Sequence, residues 1–181
     1  MYTSQNFQIR DEETFSLCIP TDRDYKILQL TDLHLGFGMF SGKKDRLALA
    51  AVTELIRRTG PDLIVLTGDL IDRAFQLEDL PALARGLADI APTYYVTGNH
   101  EFWSGQVEEI KENMTACGAV VLAGAWEDVT INDQNLRICG VDDPAVGTLE
   151  WKTQLTRVGE AADGSRFTIL VTHRPERVEE Y

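Results

Sequence analysis

The chain has 181 residues, 44% hydrophobic and 25% charged, with 17 basic against 29 acidic residues and a net charge of −12. That length supports one domain with a full core. The acidic balance, with no Lys/Arg cluster, excludes a nucleic-acid reader that binds through a basic face, and an anionic substrate is repelled at long range unless bound cations reverse the local field.

In chain order, Thr14 to Ile19 and Lys26 to Leu30 are predicted strands, separated by the turn-rich Pro20-Thr-Asp-Arg-Asp24. Helical spacing of Leu47, Ala50, Ala51 and Leu55 predicts a helix over 43–58, closed by Gly60-Pro61. Leu63-Ile-Val-Leu66 is a continuous apolar run, the pattern of a strand buried on both faces. A weaker helix is predicted over 76–90, because Pro81 and Gly86 interrupt it. Thr93-Tyr-Tyr-Val96 is another buried strand, and Ser104 is placed to cap a helix to about Cys117, with Gly118 as its stop.

Strands alternating with helices imply parallel β-α-β units. The second half reads differently: short strands at 120–122, 128–131 and 136–141, a turn at Asp133-Gln-Asn135, a short helix over 149–158 and an apolar strand over 166–172. The fold class is α/β with a mixed second half, in one domain over 1–181. Cys18, Cys117 and Cys139 are widely spaced and form no CxxC pair, so they are expected to be buried reduced thiols in a reducing compartment. The longest weakly polar run, Ala116 to Trp126, is far short of the ~20 residues that span a bilayer. No basic segment followed by an apolar stretch opens the chain. A cytoplasmic location is expected.

Polar clusters follow the predicted strands: Thr31-Asp-Leu-His34, Gly68-Asp-Leu-Ile-Asp-Arg73, Gly98-Asn-His-Glu101 and His173-Arg-Pro175. Ligands of open α/β sheets bind outside the carboxyl ends of the strands, so clusters far apart in sequence should meet on one rim. The chain has three histidines, His34, His100 and His173, and each lies just past such a strand. With Asp32, Asp69 and Asn99 they offer carboxylate oxygens, imidazole nitrogens and an amide oxygen, a donor set suited to Mn, Fe, Zn or Co. Asp32 and His34, two residues apart, can clamp one ion. Phe37, Phe40, Phe102 and Trp103 stand in the adjoining segments as candidate pocket residues or as packing.

The order D-x-H, G-D-x-x-D-R, G-N-H-E and H-R-P, placed after strands over about residues 26–176, resembles the calcineurin-like metallophosphoesterases. The stretch from Pro61 to Arg73 looks like the branch of single-domain bacterial phosphohydrolases. The resemblance implies a sandwich of two mixed sheets flanked by helices, with a two-metal site on one edge. It implies Asp32 and His34 on a first metal, Asp69 bridging both, and Asn99 and His173 on a second. His100 would serve the leaving group, Asp72 would orient His100, and Arg73 is a candidate phosphate contact. Glu101 would be structural or exposed on the rim. The chemistry implied is in-line attack on phosphorus by a hydroxide shared between two divalent or trivalent ions (Mn, Fe or Zn).

The family pattern continues with a Gly-His-x-His motif that this sequence lacks. Each metal is therefore short of about one imidazole, and the domain is expected to be incomplete at its C-terminal side. A weak or empty second site, a mobile His173, impaired turnover and a tendency to form homodimers are the expectations. The alternative is a catalytically inactive relative that binds or scaffolds. The expected partner is a phosphorylated small-molecule or lipid-linked substrate.

Overall fold

The structure is a computed structural model; it describes residues 7–9, 15–17, 25–36, 42–72 and 80–181. Two short strands, β1 (Phe7–Ile9) and β2 (Phe15–Leu17), pair antiparallel. The site-bearing body begins with β3 (Ile27–Leu30), α1 (Gly42–Thr59), β4 (Leu63–Thr67), α2 (Leu80–Ala88) and β5 (Thr93–Val96). It continues through α3 (Asn99–Trp103), α4 (Val107–Ala116), β6 (Val120–Val121), β7 (Ala125–Ile131), β8 (Gln134–Gly140), α5 (Thr148–Ala161) and β9 (Phe167–Val171).

β3-β4-β5-β6 form one sheet in that order, with every neighbouring pair parallel. β7-β8-β9 form a second sheet, antiparallel then parallel. Alternation along the central strands divides the core. Ile64, Leu66 and Tyr95 turn toward Val52 and Ile56 of α1, Leu83 and Leu87 of α2, and Ile110 and Met114 of α4. Leu63, Val65, Tyr94 and Val96 turn the other way and pack on Leu122, Ile131, Leu136, Ile138 and Val171. Beyond the second sheet, Cys139 and Val141 meet Val158 of α5. The layers therefore run helices, sheet, sheet, helix, and β4 and β5 are buried throughout and largely apolar because both of their faces are covered.

Several expectations are corrected. The face of α1 that packs carries Val52 and Ile56, while Leu47 and Leu55 are exposed. An alanine-rich helix carries two weak apolar stripes. Asp45 belongs to the side that is held, since its buried carboxylate accepts the Gly36 N–H at 3.3 Å. The helix predicted from Ser104 is present as α4 but starts later, at Val107, and Ser104 instead closes the preceding α3. Gln106 caps α4, and the Ser104 hydroxyl donates to the Glu101 carbonyl and accepts the Gln106 N–H. The hairpin turn between β7 and β8 sits at Asn132 and Asp133, both with positive φ, one residue earlier than read, which suits a two-residue I′ turn. The predicted helix over 76–90 is seen as α2 from Leu80; residues 73–79 lie outside the described residues. Cys117 and Cys139 are buried and free, and Cys18 lies outside the described residues. No helix is long and apolar enough to cross a membrane among the described residues.

Candidate metal centre

The rim at the carboxyl ends of β3, β4, β5 and β9 is built from backbone first. The loops after β3 and β4 zip together: Asp32 N–H donates to the Gly68 carbonyl, His34 to Asp69, Leu35 to Leu70, and Asp72 back to Leu35. Asp32, His34 and Asp69 adopt φ of 53°, 46° and 50°, a left-handed conformation that costs about 1–3 kcal/mol per non-glycine residue. The inter-loop hydrogen bonds hold them there. Where the β4 and β5 loops cross, contact is too close for side chains. A Cβ on Gly68 would lie 2.2 Å from the Gly98 nitrogen, and one on Gly98 would lie 2.2 Å from Oδ1 of Asp69.

Glu101 fastens this crossing. It is fully buried. Its Oε2 accepts the N–H groups of Gly98 at 2.7 Å and Asp69 at 2.9 Å, and its Oε1 accepts those of Leu70 at 2.8 Å and Ile71 at 3.3 Å. Burial pushes its carboxyl above the usual range, and the backbone N–H groups oppose that rise. As the third residue of α3 it also reaches back to the residue before the helix, the capping-box geometry. The rim-exposed reading of Glu101 is thus overturned and the structural one holds. The sequence signal was an acid three residues after a helix-opening glycine.

Ligating atoms from Asp32, His34 and Asp69 lie within 4.8 Å of one another, as do those of His34, Asp72 and His100. Nε2 of His34 is 3.6 Å from Oδ1 of Asp32. Asp69 is central: its Oδ1 accepts the His100 backbone N–H at 3.0 Å, and its Oδ2 lies 3.4 Å from Nε2 of His173 and 3.9 Å from Nε2 of His100. Burial raises the Asp69 pKa, but the hydrogen bond to His173, the His100 N–H and the charge of both rings outweigh it, leaving the group below the ordinary carboxylate range.

His173 is held rather than frayed. Its Nδ1–H donates to the Thr67 carbonyl at 2.6 Å, which turns Nε2 toward Asp69. Burial lowers its pKa, yet the Asp69 hydrogen bond and the Thr67 carbonyl prevail and raise it to about 9. Behind it Tyr181 closes the last turn, its hydroxyl bonded to Thr172 at 2.8 Å and to the Arg174 carbonyl at 2.9 Å. His100 points Nδ1 at Oδ1 of Asp72, 3.0 Å away, so that proton is held and Nε2 faces the site. Its ring lies edge-on to His34 at 4.7 Å and against Trp103 at 5.0 Å. A cavity of about 400 Å3 opens beside the two rings, lined by Leu33, His34, Lys44, Asp45, Ala48 and His100.

Asp32, His34, Asp69, Asp72, His100 and His173 thus meet on one rim. Asn99 opens α3 there, buried, with its Oδ1 accepting from Arg174 at 2.7 Å. Arg73, Phe37 and Phe40 lie outside the described residues. Phe102 sits beneath the Lys111 ammonium, 5.7 Å from its ring centre. Sequence reasoning missed the Thr67 carbonyl and the Arg174–Asp143 pair, since neither has a spacing that marks it.

The described donor set fits hard-to-borderline cations: carboxylates and imidazoles converge and no thiolate is near. The model of the calcineurin-like phosphoesterase family matches residues 25–181. An uncharacterized metallophosphoesterase of Aquifex aeolicus is 33% identical over 162 residues, 87% of this chain and 58% of that protein. Another from Campylobacter jejuni, Cj0846, is 28% identical over 97% of this chain and 46% of its own length. The chain spans about half the length of these curated relatives. Similar relatives also include a transmembrane protein with metallophosphoesterase domain from Danio rerio, 26% identical over 83% of this chain and 35% of that protein. Among solved structures, TT1561 of Thermus thermophilus superimposes with TM-score 0.57 at 19% identity, covering 81% of this chain and 66% of that one. The phosphopantetheinyl hydrolase of Mycobacterium tuberculosis gives 0.53 at 17% identity, over 83% and 68%. These structures share the fold. With the strand-end clusters in family order and the matched model running from Tyr25 to the last residue, the chain belongs to the calcineurin-like phosphoesterase family.

Proposed function

We propose that this chain hydrolyses phosphoesters with two cations that share Asp69. The observation that supports this most is the place of that carboxylate, with Asp32 and His34 on one side and His173 on the other. Asp32 and His34 would hold the first cation, Asn99 and His173 the second. Mn, Fe and Zn suit these donors. When bound, such a pair neutralises phosphoryl oxygens and lowers the pKa of a water that attacks phosphorus.

The remaining chemistry belongs to the chain. Asp72 accepts from Nδ1–H and fixes the His100 ring; in its doubly protonated form the ring would pass its Nε2 proton to the departing oxygen and keep the one on Nδ1. The cavity beside His34 and His100 would receive the leaving group, and Arg73 remains a phosphate contact in this proposal. Phosphorylated small molecules and lipid-linked phosphoesters are the substrate classes.

The test is a titration of the metal-free chain with Mn, Fe or Zn, read by metal content and by turnover of a phosphomonoester, a diester and a pyrophosphate. Metal-dependent turnover supports the reading. With three histidines in the chain, a binding or scaffold role is the second reading, and it expects weak metal uptake with no hydrolysis in excess manganese. Asp69→Asn should lose more metal than any other single substitution, because one carboxylate neutralises two cations. Retained metal and turnover in that variant would remove the bridge.

A further inference from the structure

One polar cluster at the rim is not used by this reading. Arg174 follows His173 directly, yet its side chain does not follow the imidazole toward Asp69. Its Nε donates to Oδ2 of Asp143 at 2.6 Å, and its second terminal nitrogen donates to Oδ1 of Asn99 at 2.7 Å. Asp143 is buried and itself anchored: its Oδ1 accepts the Ala145 N–H at 2.8 Å, and its own N–H donates to the Thr97 hydroxyl at 3.3 Å. That hydroxyl donates to Asp142, which Gln154 and Lys111 also hold. The guanidinium is therefore fixed by the segment that follows β8, and the planar fork spans to α3. A side-chain amide has two chemically different ends, and nothing in its own shape selects which one faces a cation. A guanidinium has only donors, so it selects the oxygen. The carbonyl oxygen has two lone pairs, one for Arg174 and one for a cation.

We propose that Arg174, braced by Asp143, is a positioning residue that sets the side-chain orientation of Asn99 and so presents its amide oxygen at the second cation position. The orientation itself does not need a metal; its consequence for binding rests on the two-cation reading. Arg174→Met keeps much of the stem and removes the fork. In the metal-free protein, the Asn99 side-chain NH2 resonances should move from dispersed positions to values typical of a freely rotating amide. In a manganese titration followed by electron paramagnetic resonance, the spin-coupled pair signal should need about 10–100-fold more metal, the usual loss when the outer partner of a ligand is removed. The isolated-ion signal should be unchanged. Asp143→Asn should act in the same direction.

Adding Asn99→Asp to Arg174→Met should restore the coupled signal, because a carboxylate presents an oxygen in either orientation. A purely structural role would not be rescued in this way. Unmoved Asn99 resonances in Arg174→Met overturn the proposal. So does an unchanged or tighter second manganese, which would make the guanidinium a competitor, and so does a loss that Asn99→Asp fails to repair. If the parent chain itself takes only one manganese, the two-cation reading falls, and the metal-free resonances still decide the orientation.

Discussion

At the scale of single residues, the site depends on conformations that side-chain identity does not reveal. Asp32, His34 and Asp69 were readable as ligand candidates because a carboxylate and an imidazole stood after apolar strands. Their left-handed φ values were not readable, since they arise from hydrogen bonds between two loops 36 residues apart in the Thr31–Thr67 register. His100 was readable as distinct from the ligands only through resemblance, and its 3.0 Å contact with Asp72 supplies a physical basis for that role. His100→Asn should leave metal content near the parent level and lower turnover by about 10²–10⁴-fold, the usual share of general acid help. The loss should be smallest for nitrophenyl esters, whose leaving groups need little protonation. Loss of metal from this variant would make His100 a ligand. A second residue-scale effect is acid–base. Metal-free His173 has a pKa raised from 6.5 to about 9, so it carries a proton at neutral pH. That raised value stabilises the metal-free fold fully below pH 6.5, and the gain is lost as pH rises through about 9. A cation needs the neutral ring, so metal uptake at neutral pH should release a proton and strengthen as pH rises toward 9. Calorimetry in buffers of different ionisation enthalpy measures this, and uptake without proton release would count against His173 as a ligand.

At the scale of elements, strands were more legible than helices. β4 and β5 carry largely apolar runs and are buried on both faces, which requires such runs, while β3 and β9 keep enough apolar residues around Gln29 and Thr168 to be read although they are only partly buried. The packed face of α1 was misjudged because alanine is apolar enough to count and too small to decide. The Ser104 helix was misread because serine caps helices and closes them with equal ease, and here its hydroxyl bridges α3 and α4. The five-residue α3 is too short to show a period. What holds it is Glu101, whose four backbone partners come from both the β4 and β5 loops. Removing that acceptor leaves buried N–H groups unpaired, each costing about 1–3 kcal/mol. Glu101→Ala should therefore destabilise the protein by about 3 kcal/mol or more, with faster amide exchange at Asp69, Leu70 and Ile71. Parent-like denaturation midpoints and exchange rates would show that the crossing holds without it.

At the scale of the whole molecule, the architecture explains why the site lies where it does. The parallel order β3-β4-β5-β6 puts the carboxyl ends of three successive strands side by side, and the second sheet brings the end of β9 to the same rim, where His173 reaches the Thr67 carbonyl. Alternating strands and helices announced the first sheet. The packing of the second sheet across Leu63, Val65, Tyr94 and Val96 was legible only through the family resemblance, which implied a two-sheet sandwich; in the residues themselves a strand covered by helices and one covered by another sheet read alike. The central claim is that two cations share Asp69. Anomalous scattering from a crystal of this chain grown with manganese, collected above and below the manganese absorption edge, tests it most directly. The account expects two peaks flanking the Asp69 carboxylate, a strong one beside Asp32 and His34 and a weaker one beside Asn99 and His173, the site with fewer charged ligands. A single peak, or density remote from Asp69 under saturating manganese, would contradict it.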